Sequence, residues 1–228
     1  MTDDGTIAQL AVARMRTPKA AAVAGLLFAV LLSTTIVLVR WSAEGEIALQ
    51  GGPADDRRDA LVLALKLLPF AGIAFLWFIG VVRDQIGSGE DRFFATVFLG
   101  SGLLFIAMLF ASGAVAGGLV LDAAETSSVE LASFGRRVTS DLLTTYAMRM
   151  AAVFTLSTTT IALRLRIMPG WLVVGGFACG LSLLVTAGRM PWVELIFPFW
   201  VFVLSCDILA RSVRSDARRG RSPRVDDL

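Results

Sequence analysis

The chain alternates long apolar stretches with shorter polar ones. Six of the apolar stretches are long enough to be membrane helices, at about 19–40, 60–82, 93–121, 141–163, 171–188 and 191–211. Within each, apolar residues lie all round the helix rather than along one stripe, the pattern of a helix that does not face water. About 20 such residues cross the hydrocarbon of a bilayer. The pattern therefore predicts an all-α polytopic membrane protein with six transmembrane helices. The third stretch is the longest, and its glycines predict a tilt or a break. A short segment, 1–18, precedes the six-helix domain, 19–211. The tail, 212–228, is rich in Arg and low in apolar residues, and so reads as disordered. The connection 122–140 has room for a short amphipathic helix lying on the membrane surface.

Composition sharpens this. Of 228 residues, 56% are hydrophobic and 18% charged, against about 45–50% and about 25% for a soluble domain. Charge then gives orientation. One set of connections carries Arg14, Arg16, Lys19, Arg83, Arg92, Arg164, Arg166 and the six arginines from Arg211 onward, 13 basic residues in all. The other carries six: Arg40, Arg57, Arg58, Arg136, Arg137 and Arg189. The positive-inside rule assigns the richer set, and both termini, to the cytoplasm. The run from Ala20 to Val39 is too long for a signal-peptide core and reads as a retained first helix. Trp41 and Trp192 suit the outer interface and Trp171 the inner one, with Trp77 and Trp200 deeper as packing residues.

The sequence has no His and no Asn. Without His there is no bis-His haem, no His-ligated zinc and no Ser-His or Cys-His nucleophile pair. Cys179 and Cys206 lie in apolar stretches without metal-ligand spacing and read as small buried side chains. No phosphate-binding loop of the ATPase type and no serine-hydrolase elbow occurs. No cofactor and no metal are expected, and the chain reads as non-enzymatic. The tail's acids and its lack of aromatics argue against nucleic acid as a partner. The expected partners are the bilayer, anionic lipid at the basic tail, and a second copy or a membrane protein.

Ionisable groups within apolar stretches are the best functional pointers. Lys66, Arg149 and Glu194 all fall in the outer halves of their helices, with Glu194 the shallowest. They are read as an outward-facing charged pocket in which Glu194 neutralises Lys66 or Arg149. Tyr146 and Thr145 precede Arg149 by three and four residues and share its face. Pro69 and Pro198 follow Lys66 and Glu194 and are read as kinks that free the carbonyls of Leu65 and Glu194. The competing reading is structural: Lys66 snorkels along its stem and Glu194 sits at the interface. The hydroxyls of Thr155–Thr160 can return hydrogen bonds to the carbonyl one turn earlier or bond a neighbouring helix, and read as helix glue, with a pore or pathway lining as the alternative. Gly113-x-x-x-Gly117 and Gly176-x-x-x-Gly180 read as sites of close helix approach.

Between the second and third stretches, Gly80-x-x-x-Asp84-x-x-Gly87 is similar to the cytoplasmic loop motif of the major facilitator superfamily. Gln85 stands where that motif has a basic residue, the basic pair after Gly87 is missing, and six helices are half of such a transporter. Over FLWFIGVVRDQIGSGEDRFF, FLGSGLLF, MPGWLVVGGF and ELIFPFWVFVLS, the chain resembles a family of six-helix integral membrane proteins from high-GC, actinobacterial-type bacteria. An excess of Arg over Lys, 19 to 2, fits the same source. The resemblance implies a multi-pass protein of the bacterial plasma membrane and no activity. The expected role is an accessory subunit or a bundle binding a small solute or lipid. A small secondary transporter or channel is the alternative.

Overall fold

The computed structural model describes residues 4–44, 54–86, 92–122, 129–190 and 192–219. Its elements are α1 (Asp4–Glu44), α2 (Ala54–Ile86), α3 (Arg92–Asp122), α4 (Val129–Ser140), a π-helical segment (Asp141–Ala147), α5 (Met148–Leu165), α6 (Gly170–Thr186), a 3-10 turn (Val193–Leu195) and α7 (Ile196–Arg219). The protein is all-helical among the described residues. Among the described residues, four stretches are long and apolar enough to cross a membrane: Lys19–Trp41, Arg58–Arg83, Phe93–Leu119 and Val193–Arg214. They match the first, second, third and sixth stretches of the sequence to within a few residues. Helix α6 is apolar but shorter, and α5 carries Arg149, Arg164 and its hydroxyl run. Helix α7 continues to Arg219, through residues that read as disordered tail, because nothing before Gly220 and Pro223 breaks it.

Each long helix packs against the next along the chain: α1 on α2, α2 on α3, α3 on α5, α5 on α6 and α6 on α7. Helix α7 then packs on α1, which closes the set into a ring. Buried phenylalanines fill the centre. Phe75 lies within 4.5–6.2 Å, ring centre to ring centre, of Phe28, Phe78, Phe105, Phe154 and Phe197. Most of these pairs are edge-on or tilted, the arrangement that aromatic quadrupoles favour. Trp200 is buried beside them, as expected, but Trp77 is 70% exposed. Trp77 falls on the outward face of α2 with Ile73 and Leu76. A stretch apolar all round gives no sign of which face turns out.

The hydroxyls of α5 bond to their own helix. Thr155, Thr158, Thr159 and Thr160 each donate to the carbonyl four residues back, at 2.7–2.8 Å. This satisfies them without a partner helix. Close approach comes instead from glycines on α6. Gly176 lies against Thr159 and Trp200, and Gly180 against Leu156 and the Ala152 carbonyl. A Cβ at Gly180 would stand 2.7 Å from Leu156 and 3.2 Å from that backbone oxygen. Gly180→Val is therefore expected to cost about 2 kcal/mol or more by overpacking, read as a lowered midpoint in detergent unfolding. Gly113 also packs closely, against Leu68, whereas Gly117 has open space around it. Of the cysteines, Cys179 is buried and Cys206 exposed.

The helix α4 does not lie apart on a surface. It runs without a break through the π segment into α5, and the whole run packs antiparallel along α3. Arg164 stands over the Phe94 ring at 4.3 Å, Phe154 stacks on Phe98 at 4.9 Å, and the Thr139 carbonyl accepts from Ser112 at 3.0 Å. Gly135 rests on Leu119. Gly135 has no Cβ, and the space is used to bring α4 onto α3 at the last residue of the α3 apolar stretch.

Candidate functional site

These contacts fix levels along the bundle, with one end at Trp41, Arg58 and Leu119 and the other at Lys19, Arg83 and Phe93. Thr145 lies between Thr139, paired with Ser112, and Phe154, paired with Phe98. It is therefore level with about Ile106–Phe110 of α3. Gly188 packs against Thr145: a Cβ there would lie 2.6 Å from the Thr145 hydroxyl. Gly188 is in the left-handed region, at φ 76°, which glycine adopts at no steric cost and which stops α6. The turn after α6 thus sits roughly ten residues, or about 15 Å, short of Leu119 at 1.5 Å per residue. Helix α6 has 17 residues where the α3 apolar stretch has 27. On this side the Trp41 end of the ring has a low wall.

Irregular backbone concentrates here. Trp192 is left-handed at φ 68° without being a glycine, the 3-10 turn follows, and the π segment meets the turn directly at Thr145. Left-handed non-glycine residues and π-helical insertions both recur at functional sites. Gly188, Arg189, Met190 and Trp192 are exposed.

Glu194, in the 3-10 turn, is 2% exposed. Its Oε1 accepts from Arg40 Nη2 at 2.7 Å, and Arg40 is 27% exposed. Neither Lys66 nor Arg149 is its partner. Glu194 is three residues from Phe197, and Arg40 is twelve from Phe28, while the two rings pack at 5.8 Å. Arg40 must therefore reach back along α1 toward the middle of the bundle to meet the carboxylate. Glu194 is the deeper group, not a shallow one. The Arg40 guanidinium also stands 6.0 Å from the centre of the Trp192 ring, within cation–π range. The second oxygen, Oε2, is buried with no hydrogen-bond partner among the described residues.

The other sequence-predicted residues separate. Lys66 is exposed on α2. Its neighbours Leu65 and Leu68 flank Gly113 of α3, so Lys66 lies well toward the Trp41 end. Arg149 is half-buried and, five residues from Phe154, is level with about Leu103, near the middle of the α3 apolar stretch. It shares the α6-facing side of its helix with Thr145, Ala152 and Leu156, which meet Gly188 and Gly180. Arg149 therefore emerges where α6 ends. Lys66 and Arg149 each lack a hydrogen bond or ion pair among the described residues. Tyr146 is 55% exposed. Pro69 is inside α2. Pro198 is not a mid-helix kink: it lies in the first turn of α7, where its missing N–H would have no helical partner.

No family model, curated protein or solved structure matches the chain. Among the described residues, no three of Cys, Asp and Glu gather as metal ligands. The residues that the sequence did not single out for this site are Arg40, Arg189, Trp192 and Gly188. Gly188 carried a signal, as the stop after an apolar run. Arg40 carried none, because its partner is 154 positions away.

Proposed function

We propose that the chain is a multi-pass protein of the bacterial plasma membrane, with six helices in the bilayer and both termini cytoplasmic. Its role is to bind a small solute from the outer side, without chemistry, alone or as the accessory subunit of a larger assembly. The observation that carries this reading is the low wall at the Trp41 end. Non-helical backbone at such depth is tolerated in a membrane only inside protein or along a water-filled cavity. The exposed turn from Gly188 to Trp192, excluding Pro191, then lines an aqueous recess that opens outward. Beneath it, the interlocked phenylalanines close the way to the other side. The excess of basic residues at the Lys19–Arg83 end supports the orientation.

A secondary transporter is the second reading. Pro69, inside α2 and six residues from the central Phe75, favours it, because proline-interrupted helices can rearrange around a binding site. Substituted-cysteine labelling tests the recess. In a Cys179→Ala, Cys206→Ala background, Met190→Cys is expected to react in intact cells with a thiol reagent that cannot cross the membrane. Ser212→Cys is expected to react only after the cells are opened. The opposite pattern, or an unreactive Met190→Cys, overturns the reading.

A further inference from the structure

We propose that the recess at the end of α6 is a phosphate-binding site, with Arg149 and Arg189 as the anion clamp and the Thr145 hydroxyl as a third donor. The proposal rests on the outward-open recess described above.

Charge is the first argument. The groups at the turn are Arg40, Glu194, Arg149 and Arg189. Arg40 and Glu194 neutralise each other through their 2.7 Å bond. Arg149 and Arg189 have no acceptor for their side chains among the described residues. Asp141, the acid on the adjoining π segment, is exposed one turn before Thr145 and forms no ion pair with either arginine. Neither arginine therefore has an ion pair among the described residues, and one of them lies near the middle of the apolar stretch. Unpaired charge at that depth is costly and marks a ligand or ion pathway.

Placement is the second argument. Gly188 holds the turn against Thr145, Arg189 is its neighbour, and Arg149 is one helical turn beyond Thr145 on the same face. The two arginines thus lie within about one helical turn of each other along the α5–α6 seam, close enough for their long side chains to reach a shared ligand. The Thr144 hydroxyl is occupied by the Ser140 carbonyl at 2.9 Å. The Thr145 hydroxyl makes no hydrogen bond among the described residues. The chemistry selects the ligand. A carboxylate has two oxygens, which a single guanidinium fork satisfies. A phosphate has enough free oxygens for two forks and a hydroxyl. Free phosphate and a phosphomonoester, including the headgroup of phosphatidic acid, both supply this group.

The test is thermal unfolding of the purified full chain in neutral detergent, titrated with inorganic phosphate against sodium chloride of equal ionic strength. A saturable rise in melting temperature with phosphate and none with chloride is expected. Arg189→Gln, at an exposed turn position where folding is not at stake, is expected to raise the phosphate Kd at least tenfold. Arg149→Gln is expected to do the same, and Arg149→Lys, which keeps the charge but loses the fork, to weaken binding while remaining folded. Lys66→Gln is expected to leave the Kd unchanged. A second arm compares nanodiscs of phosphatidylcholine, a phosphodiester, with nanodiscs containing phosphatidic acid, a phosphomonoester. A shift that only phosphatidic acid produces and Arg189→Gln removes also supports the site and assigns the phosphate to lipid. No saturable shift in either arm, or equal shifts in wild type and both arginine variants, overturns the proposal. Labelled Met190→Cys together with that null result would leave the recess intact and remove only the phosphate.

Discussion

Phe75→Ala is expected to cost about 3 kcal/mol of stability, and Phe75→Leu about 1 kcal/mol. The substitution removes a ring that touches five others at 4.5–6.2 Å, and a buried Phe→Ala change costs about 3–5 kcal/mol in soluble cores. In a membrane the transfer part of that cost shrinks, since lipid is as apolar as the interior. The cavity and the lost ring contacts remain, the latter worth about 0.5–1.5 kcal/mol per pair. The lower end of the range therefore applies. Equilibrium unfolding in mixed detergent measures it. Phe70→Ala, exposed on the same helix, is the control and should change the midpoint little. A Phe75→Ala loss no larger than that control would mean that the ring cluster does not hold the bundle together.

The second large effect is at the Arg40–Glu194 pair. Arg40→Ala leaves a carboxylate that is 2% exposed with neither oxygen paired among the described residues. Breaking a buried pair from one side costs about 3–5 kcal/mol, whereas replacing both members by apolar residues of similar size is close to neutral or stabilising. Because Arg40 is partly exposed, a loss of about 3 kcal/mol is expected for Arg40→Ala. Arg40→Met with Glu194→Met should recover most of it. The double-mutant cycle reads the coupling directly. Additive losses would mean that each residue is held by something other than its partner.

Most of the bundle was legible from the apolar pattern. Helices α1, α2, α3 and α7 follow from stretches that are apolar over 22–27 residues, which no soluble arrangement of that composition would hide. The levels were less legible. Counting inward from each predicted end treats all helices as equally long, so Glu194 seemed shallow because it is near the start of its stretch. Gly188 ends α6 early, and Glu194 inherits the depth at which the turn lies. Arg149 is deeper than its position in stretch 141–163 implied, because the helix begins at Val129 and pairs with α3 from Gly135 onward. The stretch 122–140 read as a surface connection because Arg136, Arg137 and Glu130 make it polar. Helicity does not stop at a change in polarity, and nothing between Val129 and Leu165 breaks it. The partner of Glu194 could not be read at all. A salt bridge between the first and last long helices depends on how the ring closes, and local spacing carries no trace of that.

The ring has a further consequence, for the order in which the chain is made. Each long helix meets its predecessor in the ring, so a nascent chain can complete every seam but one as soon as the next helix leaves the ribosome. One seam is different. Helix α1 must wait for α7, and until then Phe28 lacks Phe197 and Arg40 lacks its carboxylate. The last helix to be synthesised brings both. Its arrival completes the aromatic centre and joins the ends of the ring by a charge pair that no partly made chain can form.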